Sequence, residues 1–511
     1  MNDGDFVMGV DVGTSAVRVA LFTSTGSVAA SSRFPRSLVG YTTFDADQLW
    51  EDFVACVKQL PDSLRRRPIR GVSFAGHIGT VLVDGRGRPI EPSSLWSDAR
   101  GVDLLEAALA TVPNAMVIAG RPVPSGSSLA LVCWLRRHDP TLLRRVQWIL
   151  SPKDYLVLRL TGQACTDATT AAYSLGFDVR QRIWSDDLLS LVGSHRASFP
   201  QVLAGTAVVG SLLPKAAATI GLPDATPVVI GGPDGTVGAA VLLGTAEDLI
   251  VDVAGTTDVL TALTSEPMSS PPWGAVLNPY VSPGLWSCGG PTGLTGGALV
   301  WLATTLGYPD LATALGRLQV EMEGLPPGCG GIFVLPLLSG SRFPDWDHRE
   351  RAALWGITGS HTPAHILRAA QESVAYVSRQ AIERLTARPN VAKKAMTVIL
   401  AGGAAASRSM NQLRADVLGT PVLVADDAEV SVRGAAMLAS VGSGVHPDLA
   451  QASRAMRPTL TRFDPHLGRS TAYQHLYRQW AANREALRRG GQHRITPINS
   501  YRESPSPSGA D

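Results

Sequence analysis

The chain has 511 residues, 45% hydrophobic and 17% charged, with 51 glycines and 35 prolines; this is too long for one core and too apolar for general disorder, and it suits two α/β domains rich in strand-to-helix turns. A formal net charge of +2 with no long basic face argues against nucleic acid or a membrane surface as partner and for a small molecule. Five cysteines without CxxC spacing signal neither a disulfide framework nor a zinc site.

The acidic start enters a strand almost at once, without signal-peptide regions, and no segment reaches the apolar length of a membrane span, so the sequence reads as cytoplasmic. Val7 to Thr23 is an apolar run, a tight turn carrying Asp11, Gly13, Thr14 and Ser15, and a second apolar run. It predicts a β-hairpin whose turn can hold phosphate. Asp45 to Leu60 has helical spacing and covers the sheet.

GVSFAGHIGTVLVDGRGRPI places Gly-flanked His77 at a strand end, the position from which residues point into clefts. His77 either hydrogen-bonds a substrate hydroxyl or is satisfied by backbone. In LWSDAR, Trp96, Asp98 and Arg100 alternate along an extended segment, which suits polyol binding as well as it suits a surface ion pair. Helices are expected over Leu129 to His138, Thr141 to Leu150, and Ser151 to Gly162, the last capped by Ser151. Asp167, in the loop beyond, is expected to be an N-cap rather than a pocket residue.

Pro227 to Leu243 predicts a strand, the turn GGPDG and a small-residue helix, with Asp234 at the strand end. Leu249 to Thr264 then repeats the first hairpin: apolar strand, Asp, a Gly255-Thr256-Thr257 turn, apolar strand. One unit used twice predicts two copies of a domain and a nucleotide cleft between their phosphate-holding turns, which raises the catalytic reading of Asp234. Further on, the glycines around Gly296 let a ligand approach helix backbone, and Gly402-Gly403 ends a strand just before a helix near Ser407, where a base or ribose can lie on bare backbone. The Ser- and Pro-rich end, residues 489–511, is expected to stay disordered.

VDVGTS, LWSDAR, PKDYLVLRLTG, the GGPD turn, VAGTTDV, LPLLSGSR, ALWGITG and LAGGAAAS occur in that order, and with them the chain resembles the FGGY carbohydrate kinases, most of all their xylulokinase branch, to about residue 485. The resemblance implies two actin-like (ribonuclease H-like) α/β domains, residues 1–246 for sugar and catalysis and 247–488 for nucleotide, closing on ATP-Mg²⁺ and a sugar or polyol. It places the catalytic base on Asp234 and phosphate contacts on Asp11 to Ser15 and Gly255 to Thr257, with Asp11 tethering Mg²⁺. Nucleoside contacts fall near Gly296 and at Gly402, Gly403, Ala404 and Ser407. Substrate contacts are expected from His77, Ile78, Trp96, Asp98, Arg100 and Asp234; homodimerisation is left open.

The chain departs from the xylulokinase pattern in its pocket. His77-Ile78-Gly79 stands where Gln-Met-His-Gly is typical, Gly235 follows the catalytic Asp in place of Asn, Leu131 replaces a lysine, and Ser341 replaces a Glu. These departures favour as an alternative another acceptor, such as a tetritol, a cyclitol or a modified sugar. A catalytically silent nucleotide-binding regulator is the rival from another class.

Overall fold

The computed structural model describes residues 5–36, 42–122, 125–191, 193, 198–267, 274–387 and 396–491. Two mixed sheets organise it. The first has the order Val208–Ser211, Pro227–Pro233, Ile69–Gly76, Phe6–Val12, Ala16–Phe22, Val28–Pro35. The second runs Val276–Pro279, Trp286–Pro291, Val259–Thr264, Leu249–Val253, Thr397–Ala401, Val422–Ala425, Leu460–Phe463. In each, the leading strand pairs antiparallel with the next strand of the chain and parallel with a later one. The expected duplication is therefore a duplication of topology, with the two hairpins at the centres of their sheets.

Strand Phe6–Val12 is buried along its whole length because helices cover both faces of the sheet, the pattern a doubly covered strand requires. Met8, Val10 and Val12 pack with Leu49, Phe53 and Val57 of helix Ala46–Lys58, while Val7 turns the other way, into a cluster with Val237, Val251, Ile399 and Val432. That second cluster draws on both sheets. Helices Asp234–Leu243 and Val430–Gly442 fill the space between them, so close that a Cβ on Gly9 would stand 2.0 Å from the Val432 carbonyl oxygen. The proposed cut at residue 246 thus passes through a shared core.

Several expectations change. Thr141 to Leu150 is not one helix: four residues, Pro140–Leu143, are helical, and Trp148–Leu150 pairs with Val81, Leu82 and Val83 as the edge of a four-stranded sheet. Strand pairing buries Ile149 and Leu150 on alternate faces, in two different clusters, which helical packing there would not do. The LWSDAR segment is extended only to Leu95 and turns from Trp96 onward. Asp167 caps a short helix, Ala168–Tyr173, accepting from the amides of Thr169 and Thr170. The C-terminal helix runs Leu467–Gly491, so residues 489–491 are helical; the rest of the expected tail lies outside the described residues.

Candidate active site

Strand Pro227–Pro233 passes directly into helix Asp234–Leu243, putting Asp234 in the helix's first turn, where its Oδ1 accepts the Gly235 amide at 2.7 Å. Ser431, at the head of the partner helix, donates to the Asp234 carbonyl at 3.2 Å. The carboxylate keeps an open face yet is walled by protein, and burial pushes its pKa up to about 6. A carboxylate so placed can take a proton near neutrality.

Asp11 sits at the end of the first strand, opposite Arg18 in the hairpin register. Its Oδ2 accepts Arg18 Nη1 at 3.1 Å, while Oδ1 is buried with no hydrogen-bond partner. Burial, with the Asp234 charge adding to it, pushes the Asp11 carboxyl up to about 7 despite Arg18. Two carboxylates that repel each other, one with an orphaned oxygen, form a donor set that a hard divalent cation fits. The structure thus brings Asp11, Asp234, Arg18 and Glu429 within electrostatic reach of one another. Arg18 was missed in the sequence, although hairpin register alone places it across from Asp11.

The turn after Asp11 leaves Gly13 and Thr14 half-buried and Ser15 exposed, with the Gly13 amide spent on the Ala16 carbonyl at 3.0 Å. Arg36 buttresses it, donating to the Gly13 carbonyl at 2.8 Å and pairing its backbone amide with the Ser15 carbonyl. The same Arg36 lies 3.2 Å from His77 Nε2, and His77 Nδ1 stands 3.0 Å from the Ile78 carbonyl. Both ring nitrogens are engaged, and burial beside Arg36 drives the imidazole down to about 4, so His77 is neutral. The ring thus meets backbone at one nitrogen and the Arg36 side chain at the other, a partner the sequence reading did not name.

Ile78 and Trp96 rim a cavity lined further by Thr80, Ser94, Ser127 and Ser128. Its walls do not include Asp234 or His77. Asp98 and Arg100 pair with each other, Arg100 binding both oxygens of Asp98 at 2.7–3.0 Å and stacking on Trp134. Behind the strand ends lies a group that sequence reading left without a role. Lys153, almost wholly buried, holds Asp154 at 2.6 Å and Asp167 at 2.9 Å, and a Cβ on Gly76 would stand 2.9 Å from the Lys153 Cβ. Removing one member of such a buried set costs about 3–5 kcal/mol, since a charge is left unpaired.

In the second sheet, the turn Gly255 to Thr257 is held from two sides. Gly297 N donates to the Thr256 carbonyl at 3.0 Å, and Gly296 lies so near that a Cβ would come within 2.0 Å of the Gly255 carbonyl oxygen. Gly296 is thus a close-packing residue beneath the turn. From the other side Ala404 N donates to the Ala254 carbonyl at 3.0 Å. Gly402 (φ 86°) and Gly403 open a groove that Asn411 and Phe463 also line, and Ser407 caps helix Arg408–Leu418 through the Met410 amide.

Residues 6–241 match the FGGY family of carbohydrate kinases, N-terminal domain, and residues 251–443 its C-terminal domain. The chain is 28% identical over 485 residues to a xylulose kinase of Escherichia coli, covering 92% of this chain and 98% of that one. It is likewise 28% identical to a xylulose kinase of Bacillus subtilis, covering 92% and 95%. Among solved structures, a xylulose kinase from Rhodospirillum rubrum superposes with a TM-score of 0.86 at 25% identity, over 96% of this chain and all of that one. A Plasmodium falciparum glycerol kinase with ADP, at 17% identity, shares the fold with a TM-score of 0.82, over 94% and 98%. The chain belongs to the FGGY family of carbohydrate kinases and is an ATP-dependent sugar kinase.

Proposed function

We propose that Asp234 is the base of this kinase, taking the proton from an acceptor hydroxyl as the γ-phosphoryl of ATP is transferred to it. The observation that carries the reading is the position of Asp234: first turn of a helix between the two sheets, partly open, and close enough to Asp11 for their charges to interact. A sugar hydroxyl is a poor nucleophile, and transfer requires it to be aligned, deprotonated and set against a charge-neutralised phosphate. Asp234 supplies the acceptor for the proton. Backbone and hydroxyl donors of the turns at Asp11 to Ser15 and Gly255 to Thr257 hold phosphate oxygens, and Arg18 adds a cation. Gly402, Gly403, Ala404 and Ser407 form the nucleoside end. In this reading residues 1–246 carry acceptor and base, and 247–488 carry the nucleotide.

Asp11 would hold Mg²⁺ through its unpartnered Oδ1. When bound, the ion neutralises charge on the phosphates.

For the acceptor, the named relatives support D-xylulose. Two observations favour a different sugar or polyol: His77 offers no free ring nitrogen, and the space beside Gly235, where an amide side chain is typical of xylulokinases, is open. None of the relatives named above supports a silent regulator. Steady-state kinetics against a panel of ketoses, polyols and cyclitols tests the whole reading, and the absence of turnover with every acceptor would sink it. Five cysteines without CxxC spacing and the use of ATP support a cytoplasmic site; among the described residues no helix is long and apolar enough to cross a membrane. Sedimentation decides whether the chain forms a homodimer.

A further inference from the structure

The phosphate turn of the second sheet is fastened at both of its ends, once to the nucleoside loop and once to the helix that follows that loop. At its start, the Ala254 carbonyl accepts the Ala404 amide at 3.0 Å. At its end, Asp258 is almost wholly buried and its Oδ2 accepts Arg414 Nη2 at 2.8 Å and Ser378 Oγ at 3.1 Å. The Asp258 backbone is itself fixed, its amide donating to Thr295 Oγ1 at 3.0 Å and its carbonyl accepting the Thr292 amide at 2.9 Å. Arg414 lies on helix Arg408–Leu418, the helix that Ser407 caps directly after the Gly402-Gly403 groove.

We propose that Arg414 and Asp258 are positioning residues, a buried clamp that sets the distance between the nucleoside groove and the Gly255 to Thr257 turn and so lets ATP occupy both at once. The inference rests on the nucleotide reading given above for those two loops. The bland account is a buried ion pair that supports the fold, and three facts go beyond it. The pair joins the end of one ligand loop to the helix opened by the other. Arg414 keeps Nε and Nη1 without hydrogen-bond partners, so its one hydrogen bond is the Nη2 contact to Asp258. Asp252, in the strand that enters the turn, is buried with neither oxygen hydrogen-bonded, and burial together with the Asp258 charge pushes its carboxyl up, so Arg414 also offsets a second carboxylate there.

ATP binds tightly only if its two ends find their sites at the correct separation, because the second contact is then intramolecular. A slack clamp leaves each loop intact and removes that advantage. Asp258→Asn/Arg414→Met takes out both charges of the pair, so neither partner is left without the other as after a single change, and Asp252 loses the opposing Asp258 and Arg414 charges together. Isothermal titration with adenosine and with inorganic tripolyphosphate should give parental dissociation constants for each, while kcat/KM for ATP falls roughly tenfold or more and the acceptor KM moves less than about threefold. Arg414→Lys keeps the charge on a shorter side chain, which slackens the single contact to Asp258, and should lose about threefold or more in ATP kcat/KM. It decides alone if the double variant melts below the assay temperature.

Parental ATP kcat/KM in a natively melting double variant, or in Arg414→Lys, overturns the clamp. Loss of adenosine and tripolyphosphate binding along with ATP also overturns it, since the pair would then be general support. Gly403→Val separates the two layers: if it leaves the ATP dissociation constant unchanged, the nucleoside reading fails and the clamp with it, whereas a weakened constant beside a silent double variant confines the failure to the clamp.

Discussion

Arg18 and Glu429 meet across the junction of the two halves, Nε to Oε2 at 3.0 Å, while the other end of the same guanidinium holds Asp11. The two contacts differ in worth. Glu429 is 54% exposed, and an ion pair so open contributes about 0.2–1 kcal/mol. Asp11 is buried, and Arg18 is the cation that offsets its burial and the Asp234 charge. Arg18→Met should therefore raise the dissociation constant for ATP-Mg²⁺ by roughly tenfold or more, and Glu429→Gln by less than about threefold. Equal losses by calorimetry would mean that the contact between the halves, not the Asp11 partnership, governs nucleotide affinity.

Asp234→Asn should leave ATP affinity nearly intact and lower turnover by about 10²–10⁴, the usual worth of a positioned base. Turnover within a few-fold of the parent would remove Asp234 from that role. The same variant carries a stability signature. In the folded chain the carboxyl titrates at about 6 rather than 3.8, so folding favours its protonated form and the parent loses stability as pH rises from about 4 to about 6. Asparagine does not suffer that loss. Thermal melts of the free protein should show the variant more stable than the parent at pH 8 by roughly 1–2 kcal/mol, discounted for the open face, and no more stable at pH 4.

Gly402 and Gly403 should behave differently although they are adjacent. Gly402 has φ 86°, and a Cβ there would lie 2.6 Å from the Ala254 carbonyl oxygen; Gly403 has nothing within 4 Å of its Cβ position. Gly402→Ala is expected to destabilise the fold by about 1–3 kcal/mol, while Gly403→Val should melt like the parent and bind ATP more weakly through a clash in the groove. Melting and titration of the pair check both. A Gly403→Val protein with parental ATP affinity would take this loop out of the site.

What was legible from sequence was whatever a local pattern encodes. The hairpins at Asp11 and Gly255, the capped helix after Ser151 and the passage from strand into helix at Asp234 follow from periodicity and turn chemistry, and the structure places them as expected. The partners of those side chains lie far away in the chain. Arg36, just past the end of strand Val28–Pro35, takes both His77 and the Gly13 carbonyl, and Arg414 reaches Asp258 across 156 positions. Trp148–Leu150 misled because three apolar residues after a helical turn carry no period of their own, and only the free edge at Val81 to Val83 makes them a strand.

The acceptor tests what is particular to this chain. A pocket matched to D-xylulose must pair its hydroxyls, and each one left unpaired costs about 1–3 kcal/mol of discrimination. His77 spends both ring nitrogens on Arg36 and Ile78, Gly235 brings no amide, and Asp98 is paired with Arg100. Some other polyol or ketose is therefore expected to give a kcat/KM roughly tenfold or more above that for D-xylulose. Since His77 acts through Arg36 and the Gly13 carbonyl, His77→Ala should disturb the phosphate turn as well as the pocket and affect the two acceptors unequally. Steady-state kinetics on a sugar panel decides it: if D-xylulose ranks first with ordinary efficiency, its hydroxyls are paired elsewhere in the pocket, and the acceptor is the one the named relatives share.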